Sequence, residues 1–441
     1  MASTMKNAVT RGQPRALAEI ASMILGQAPH AVLLSGPGSI GKTTLALDLA
    51  AGLLCRDPNP AERPCRACRG CRQVASGNHL DLHRLAPEGP GGQVKIGDTI
   101  NPDPGTARHL IGELALLPAE GGARVAIVEQ AHRLNEDAQN ALLKLLEEPP
   151  AGVTIVLCAD DEECLLPTVR SRCARVRLNA VGSREIEGWL GELGVADAPQ
   201  AARLARLADG RPGLALAYAR SADAERIRGE IARGLLDMLA ARRQVRLASI
   251  REMMKSAVAL DAALAEARRD NAATVSGTGS SGPTATSGRG RKGKAASKMP
   301  AAKAAAAVGT VDVATDGADD VAPNDEPVAA KLAASERRTA AATLMEIWAA
   351  VARDIAVVKV GGARQLHEIG LVDEFRAIAP AVSAATLTGF LAQLATIDRQ
   401  LDENVNPELA LDVLALSWPH VEPTMIPAVG PPGAVHLAGP R

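Results

Sequence analysis

The sequence predicts an α/β domain followed by an all-α region, and three observations carry that reading. Short apolar runs (AVLLSG, RVAIVE, VTIVLCA) alternate with helical stretches over residues 10–180, the pattern of a parallel sheet with crossover helices. Residues 181–268 keep helical periodicity but contain no strand-like run. A phosphate-binding motif, G-x-x-x-x-G-K-[ST], stands between the first apolar run and the helix after it, the context that the motif requires.

Bulk composition sets limits on function. A chain of 441 residues has room for about three domains. Lys and Arg number 49 against 50 Asp and Glu, so no overall basic charge drives it onto nucleic acid. Two Phe, one Tyr and three Trp argue against a base-stacking platform for single strands. Neither a charged-then-apolar leader nor an 18-residue apolar run is present, which predicts a soluble, cytoplasmic protein. Of seven cysteines, four cluster between 55 and 71, which in a cytosolic chain points to metal.

In chain order, the first chemistry lies in SGPGSIGKTT. Gly36, Gly38 and Gly41 let backbone N–H groups curl around phosphate oxygens. Lys42 is expected to reach the β/γ-phosphates and Thr43 to ligate Mg²⁺, with the helix amino end adding positive potential. The bland alternative is a retained loop whose nucleotide is never turned over. Next, LLCRDPNPAERPCRACRGCRQV brings Cys55, Cys65, Cys68 and Cys71 to a spacing that can converge on one tetrahedral ion. Four thiolates leave no open position, so a zinc there is structural. An iron–sulfur cluster is the alternative, but the downstream Cys-Pro of the ferredoxin run is missing. Cys158 reads as core, and Cys164 stands outside the four-cysteine spacing.

In RVAIVEQAHRLNEDAQNALLKLLEEPP, a buried strand over 124–128 delivers Glu129 to the nucleotide edge. Asn135 caps the next helix, Glu136 and Asp137 suit its dipole, and Ala138, Ala141, Leu142 and Leu145 form its apolar face. The pair at the strand end is Glu129-Gln130, where a P-loop ATPase has Asp-Glu. Gln130 cannot act as a general base, while Glu129 still offers a carboxylate for Mg²⁺.

These runs resemble a known family. AHRLNEDAQNALLKLLEEPP followed by LLPTVRSRC is similar to the AAA+ subunits of the bacterial clamp loader, the part of DNA polymerase III holoenzyme that opens the sliding clamp. The four-cysteine spacing matches that family's zinc module, HAVLLSGPGSIGKTTLA its P-loop, and LDENVNPELALDVL the last helix of its collar. The resemblance implies a RecA-like AAA+ P-loop domain over 1–180 with a four-cysteine zinc module at 55–71, and a helical lid over 181–235. It also implies a collar that begins over 236–270 and resumes over 329–420. Between the two collar parts, residues 271–328, rich in Gly, Ser, Thr, Ala and Pro, read as a disordered insert, with a basic block near 289–298 and acids near 312–326. Residues 421–441 read as a flexible tail.

Within the family, the departures match the delta-prime pattern. The motor subunits, gamma and tau, keep the acidic pair, a threonine at the end of the sensor strand and an arginine in the lid. Here Gln130 replaces the acid, the strand ends in Cys158-Ala159-Asp160, and Gly213 falls at the lid arginine. Arg211 lies two residues earlier, on another helical face. Arg172 survives in Ser171-Arg172-Cys173, and the resemblance makes it a finger that acts in trans on a neighbour's nucleotide. The implied cofactors are ATP, Mg²⁺ and Zn²⁺. The implied partners are gamma/tau and delta subunits in a hetero-pentameric ring, the sliding clamp and, through the assembly, primed DNA. Arg108 would track DNA phosphates. Two other readings stay open: a gamma/tau-like motor ATPase of the same ring, with Asp160 as the substitute carboxylate, and a zinc-dependent nucleic-acid-binding module.

Overall fold

The computed structural model describes residues 5–26, 28–87, 92–100, 102–120, 122–277, 334–402 and 405–421. Most of the stretch read as an insert, its basic and acidic blocks, the first residues expected to resume the collar, and the tail from 422 lie outside the described residues.

Helix α1 (Pro14–Leu25) opens with proline at its first turn, where a missing N–H costs nothing. Its flanking Gln13 donates from Nε2 to the Asn179 carbonyl and accepts from the Asn179 N–H, at 2.7 and 3.2 Å, so the start of the domain is fastened to its end. There follow β1 (Ala31–Ser35), α2 (Lys42–Leu53), α3 (Arg69–Ala75), β2 (Leu82–Leu85), α4 (Ala107–Leu114), β3 (Arg124–Val128), α5 (Glu136–Glu147), β4 (Val153–Ala159), α6 (Pro167–Arg170) and β5 (Ala174–Arg177). All pairings are parallel, in the order β2-β3-β4-β1-β5. The P-loop strand therefore lies between β4 and β5, away from its neighbours in sequence.

Strands β1, β3 and β4 are buried at every residue, as expected of a parallel sheet covered on both faces. Alternate residues divide between two cores. Val32, Leu34, Val125, Ile127 and Val156 pack with α1 and α2, whereas Leu33, Ala126, Val128, Ile155 and Leu157 pack with α4 and α5. Asn135 caps α5 by accepting the Ala138 N–H at 2.9 Å, as its position in the sequence leads one to expect. The buried face of that helix includes Leu146 as well as Ala138, Leu142 and Leu145.

Downstream, every described element is helical: α7 (Ser183–Glu192), α8 (Ala198–Leu207), α9 (Pro212–Arg220), α10 (Ala222–Asp237), α11 (Arg243–Gly277), α12 (Ala334–Lys359), α13 (Val372–Ile378), α14 (Ala384–Asp402) and α15 (Pro407–Ser417). They share one apolar core from Val181 to Val421. Trp348, Phe390 and Trp418 sit within it, with ring centroids 4.6–5.6 Å apart. Two boundaries differ from expectation. The division after 235 falls inside α10, which packs on α11 and α12 as well as on α9. Helix α11 continues to Gly277, seven residues into the stretch read as insert, where only Ala272 and Ala273 are strong helix formers. Among the described residues, no single helix is long and apolar enough to cross a membrane.

Candidate functional site

The carboxyl edge of the sheet gathers the charged residues. Register pairs Leu34 with Cys158 and Ser35 with Ala159, Val128 with Leu157, and Leu85 with Val128. One residue beyond each strand, Gly36 comes level with Asp160, and Glu129 comes level with Cys158. Ligands of open parallel sheets bind at this edge, beside the strand where the order reverses.

The loop 36–41 is shaped by its backbone. Gly36 has φ +146, and a Cβ there would lie 2.5 Å from the Leu178 carbonyl oxygen, so only glycine passes over β5. Gly41, at φ +108, turns the chain into α2. Ser39 is a non-glycine residue at φ +61, a conformation that persists only when the surroundings hold it. Its carbonyl accepts the Gly213 N–H at 3.0 Å from the start of α9. A Cβ at Gly213 would come within 2.8 Å of that same oxygen.

Lys42 is 7% exposed. Its Nζ donates to the Gly36 and Pro37 carbonyls at 2.6 and 2.7 Å and pairs with Asp160 Oδ1 at 2.8 Å. Thr43, half-buried, is the second residue of α2. Asp160 thus stands against both the P-loop lysine and Gly38, whose Cβ position is 3.2 Å from Asp160 Oδ2. Its own N–H donates to His132 Nδ1 at 3.1 Å, which places the ring of His132 beside Asp160.

Glu129 ends β3 as expected, but its carboxylate is engaged. Oε1 accepts from Arg84 Nε at 2.8 Å and Nη2 at 2.5 Å, across from β2. Gln130 follows in the left-handed region, φ 50 and ψ 50, and is exposed. Cys158 is core, as its apolar strand predicts; burial pushes its thiol up to about 12, and Glu129, Lys42, Asp160 and Arg84 all act on it electrostatically. Those four charges, two of each sign, therefore surround the end of β4.

Arg172 follows α6. Its Nη2 pairs with Glu147 Oε1 at 2.6 Å and its Nη1 donates to the Thr168 carbonyl at 2.9 Å. Ser171 Oγ donates to the same carbonyl, and the Cys173 thiol, pushed up to about 11 by burial, points back to the Val169 carbonyl. Both neighbours of the arginine brace the turn. Arg108 Nη1 donates to the Gly97 carbonyl at 2.8 Å, half-buried on α4. Arg211 turns away from the P-loop to pair with Glu346 on α12. Cys164 lies exposed in a surface turn, Glu162–Cys164.

The four clustered cysteines do converge: the Sγ atoms of Cys55, Cys65, Cys68 and Cys71 all lie within 4.8 Å of one another, Cys55 and Cys68 at 3.9 Å. Bonds of about 2.3 Å from a tetrahedral zinc put sulfurs roughly 3.8 Å apart, so the donor set fits that ion. Backbone N–H groups of Cys65, Cys68 and Cys71 point at the sulfurs of Cys55, Cys65 and Cys68 at 3.3–3.5 Å, an arrangement that favours thiolates. Burial raises the thiols of Cys55 and Cys71. At Cys68 the raising effect of burial is overcome by N–H donors from Arg56 and Cys71, and the thiol falls to about 6.

Sequence reasoning missed Arg84 and His132. Arg84 sits on the four-residue strand LHRL, too short and too polar to announce itself, and its partner lies 45 residues on. His132 was visible only as part of the run AHRL.

Residues 12–182 match the family model described as DNA polymerase III, delta subunit. The chain is 36% identical over 205 residues to the DNA polymerase III subunit tau of Salmonella typhimurium, covering 45% of this chain and 30% of that one. It is 36% identical over 164 residues to the DNA polymerase III subunit delta' of Pseudomonas aeruginosa, covering 37% of this chain and 47% of that one. The matched segment thus spans less than half the length of either relative. A solved gamma-subunit-related protein of Thermotoga maritima is similar at 16% identity with a TM-score of 0.36, covering 90% of this chain and 97% of that one, too distant a likeness to carry weight. Over residues 12–182, in its α/β domain, the chain is thus similar to clamp-loader subunits of DNA polymerase III, both delta-prime and tau, and a helical region follows.

Proposed function

We propose that the chain is a delta-prime-like clamp-loader subunit, which binds ATP and presents Arg172 to a neighbour's nucleotide while turning over little itself. The observation that carries this reading is the strand end after β3: an amide, Gln130, stands where a base is needed, and Arg84 grips the adjoining carboxylate of Glu129. In this reading Gly36, Gly38, Gly41 and Lys42 cradle the phosphates. Thr43 and Glu129 would hold Mg²⁺, which when bound neutralises phosphate charge. Cys55, Cys65, Cys68 and Cys71 hold a structural zinc that closes the excursion between α2 and β2. Helices α7–α9 serve as the lid, and the helices after them as the collar that joins gamma/tau and delta subunits in a cytoplasmic ring, there to act on the sliding clamp and primed DNA. For Arg172 to reach a neighbour it must leave Glu147, an exposed pair whose loss costs only about 0–1 kcal/mol.

A gamma/tau-like motor is the second reading, favoured by one observation: Asp160 places a carboxylate 2.8 Å from Lys42. ATP binding and steady-state hydrolysis by the purified chain, with Gln130→Glu beside it, separate the two. The first reading expects tight binding, negligible turnover, and a gain on the order of 10²–10⁴-fold in the variant if the missing base is the defect. Turnover by the unaltered chain at a motor-like rate, abolished by Asp160→Asn, would establish the second.

A further inference from the structure

Three separate parts of the chain meet at the turn 209–212 between α8 and α9. On one side the Val181 N–H, just after β5, donates to the Gly210 carbonyl at 2.9 Å. On another, Gly213 rests on the carbonyl of Ser39 in the P-loop. On the third, two charged arms reach the region of α12. Arg211 pairs with Glu346 while its Nε donates to the Ala208 carbonyl at 3.1 Å. Asp209, in the left-handed region at φ 47, lies 3.4 Å from His367 Nε2 and 3.5 Å from Arg353 Nη1. His367 is itself fixed by Asp354, which is 0% exposed and accepts from the His367 ring at 2.9 Å and from the His367 and Glu368 N–H groups. This arm is anchored in the helical core.

We propose that Asp209 and Arg211 are positioning residues that tie the conformation of the P-loop to α12. Ser39 holds a left-handed backbone that costs of order 1–3 kcal/mol when unsupported. The support is the Gly213 N–H, and Gly213 is held in place by a turn whose outward charges are clamped to Glu346, Arg353 and His367. A shift of α12 relative to α9 therefore releases Ser39, and a nucleotide that orders the P-loop favours the clamped arrangement, since coupling between two sites is reciprocal. Lys42 does not transmit this link, because its partners lie within the loop and at Asp160, one residue beyond β4. The clamp involves only segments remote from one another in sequence: Arg211 and Glu346 are 135 residues apart.

A charge exchange in the full-length chain tests this. Hydrogen–deuterium exchange of the P-loop amides is measured without nucleotide for the unaltered protein, Arg211→Glu, Glu346→Arg and the double exchange, and binding of fluorescent ADP is measured in parallel. Each single change should raise P-loop exchange about tenfold and weaken ADP binding by a similar factor, with both restored in the double exchange. Asp209→Asn, a smaller alteration, should act in the same direction and guards against misfolding of the reversals. P-loop exchange that ignores the single changes, or a double exchange that fails to restore it, would overturn the inference. The ADP arm rests on the nucleotide reading proposed above, whereas the exchange arm does not. Exchange that follows the charges while ADP binds none of the proteins would uphold the coupling and overturn that reading instead.

Discussion

The cysteine cluster and the charged edge of the sheet are both built for charge, and they differ in where that charge is spent. At the cluster, four sulfurs converge on one point and backbone N–H groups converge on the sulfurs. Along the sheet edge and the turn that follows it, named charges are matched within the chain: Lys42 with Asp160, Glu129 with Arg84, Arg172 with Glu147. A site whose groups converge on a common centre is ready for its ligand. A site whose groups are paired must exchange those partners first, and each exchange offsets part of what the ligand contributes.

The largest expected effect tests the convergent site. Metal analysis should find one zinc per chain, and Cys71→Ser should lose it. Structural zinc in small modules contributes on the order of 10 kcal/mol at pH 7, so the variant should show proteolysis between residues 55 and 71 that the unaltered chain resists. A metal-free chain equally resistant in both forms would break the comparison at its firmer end. At the paired edge, Arg172→Ala in an assembled complex with gamma/tau and delta subunits should lower ATP turnover of the ring by about 10³-fold. Nucleotide binding by the isolated chain should not change, and equal turnover in both rings would leave Arg172 as a surface partner of Glu147.

Arg84→Met asks what the pairing at Glu129 withholds. Freed from two charge-assisted hydrogen bonds, the carboxylate should turn to magnesium, and ADP affinity should become about tenfold more dependent on Mg²⁺ against EDTA than in the unaltered chain. Identical dependence in both proteins would mean that the Arg84 pair offers no competition. The smallest effect lies in the helical region. Hydrogen bonds to Asp209 and Asp354 raise His367 from 6.5 to about 9, so the folded state holds its proton more tightly than the unfolded one. That stabilisation is complete below pH 6.5 and drains away as pH rises to 9. Burial of the ring works against it. With solvent screening the loss should be about 1 kcal/mol in denaturant titrations between pH 6.5 and 9, and His367→Gln should flatten it.

What the sequence disclosed follows the same division. The P-loop and the cysteine spacing are local patterns: Gly36 to Thr43 and Cys55 to Cys71 need little more than chain geometry to assemble, and the Asn135 cap and the buried Cys158 are equally local. Strand order is not local, and Arg84 meets Glu129 only because β2 lies beside β3 at the sheet's far side. The anchoring of Asp209 and Arg211 depends on α12, across the stretch that divides the helical region. Gln130 was legible as a substitution but not as a left-handed residue, since glutamine carries no preference that would announce it. The α11 overrun into 271–277 shows the opposite error, where a helix extends from the residues before it through a run whose own composition, NAATVSG, does not announce one.

Gly213 bears on how freely this packing can be altered. Any side chain there would press on a backbone oxygen of the P-loop, 2.8 Å from its first carbon. Backbone cannot swing aside as a side chain can. Even a single methyl group placed there would therefore displace the loop it rests on. Room for a side chain at 213 requires the loop, the turn and their clamp to move together, which makes this packing a lock.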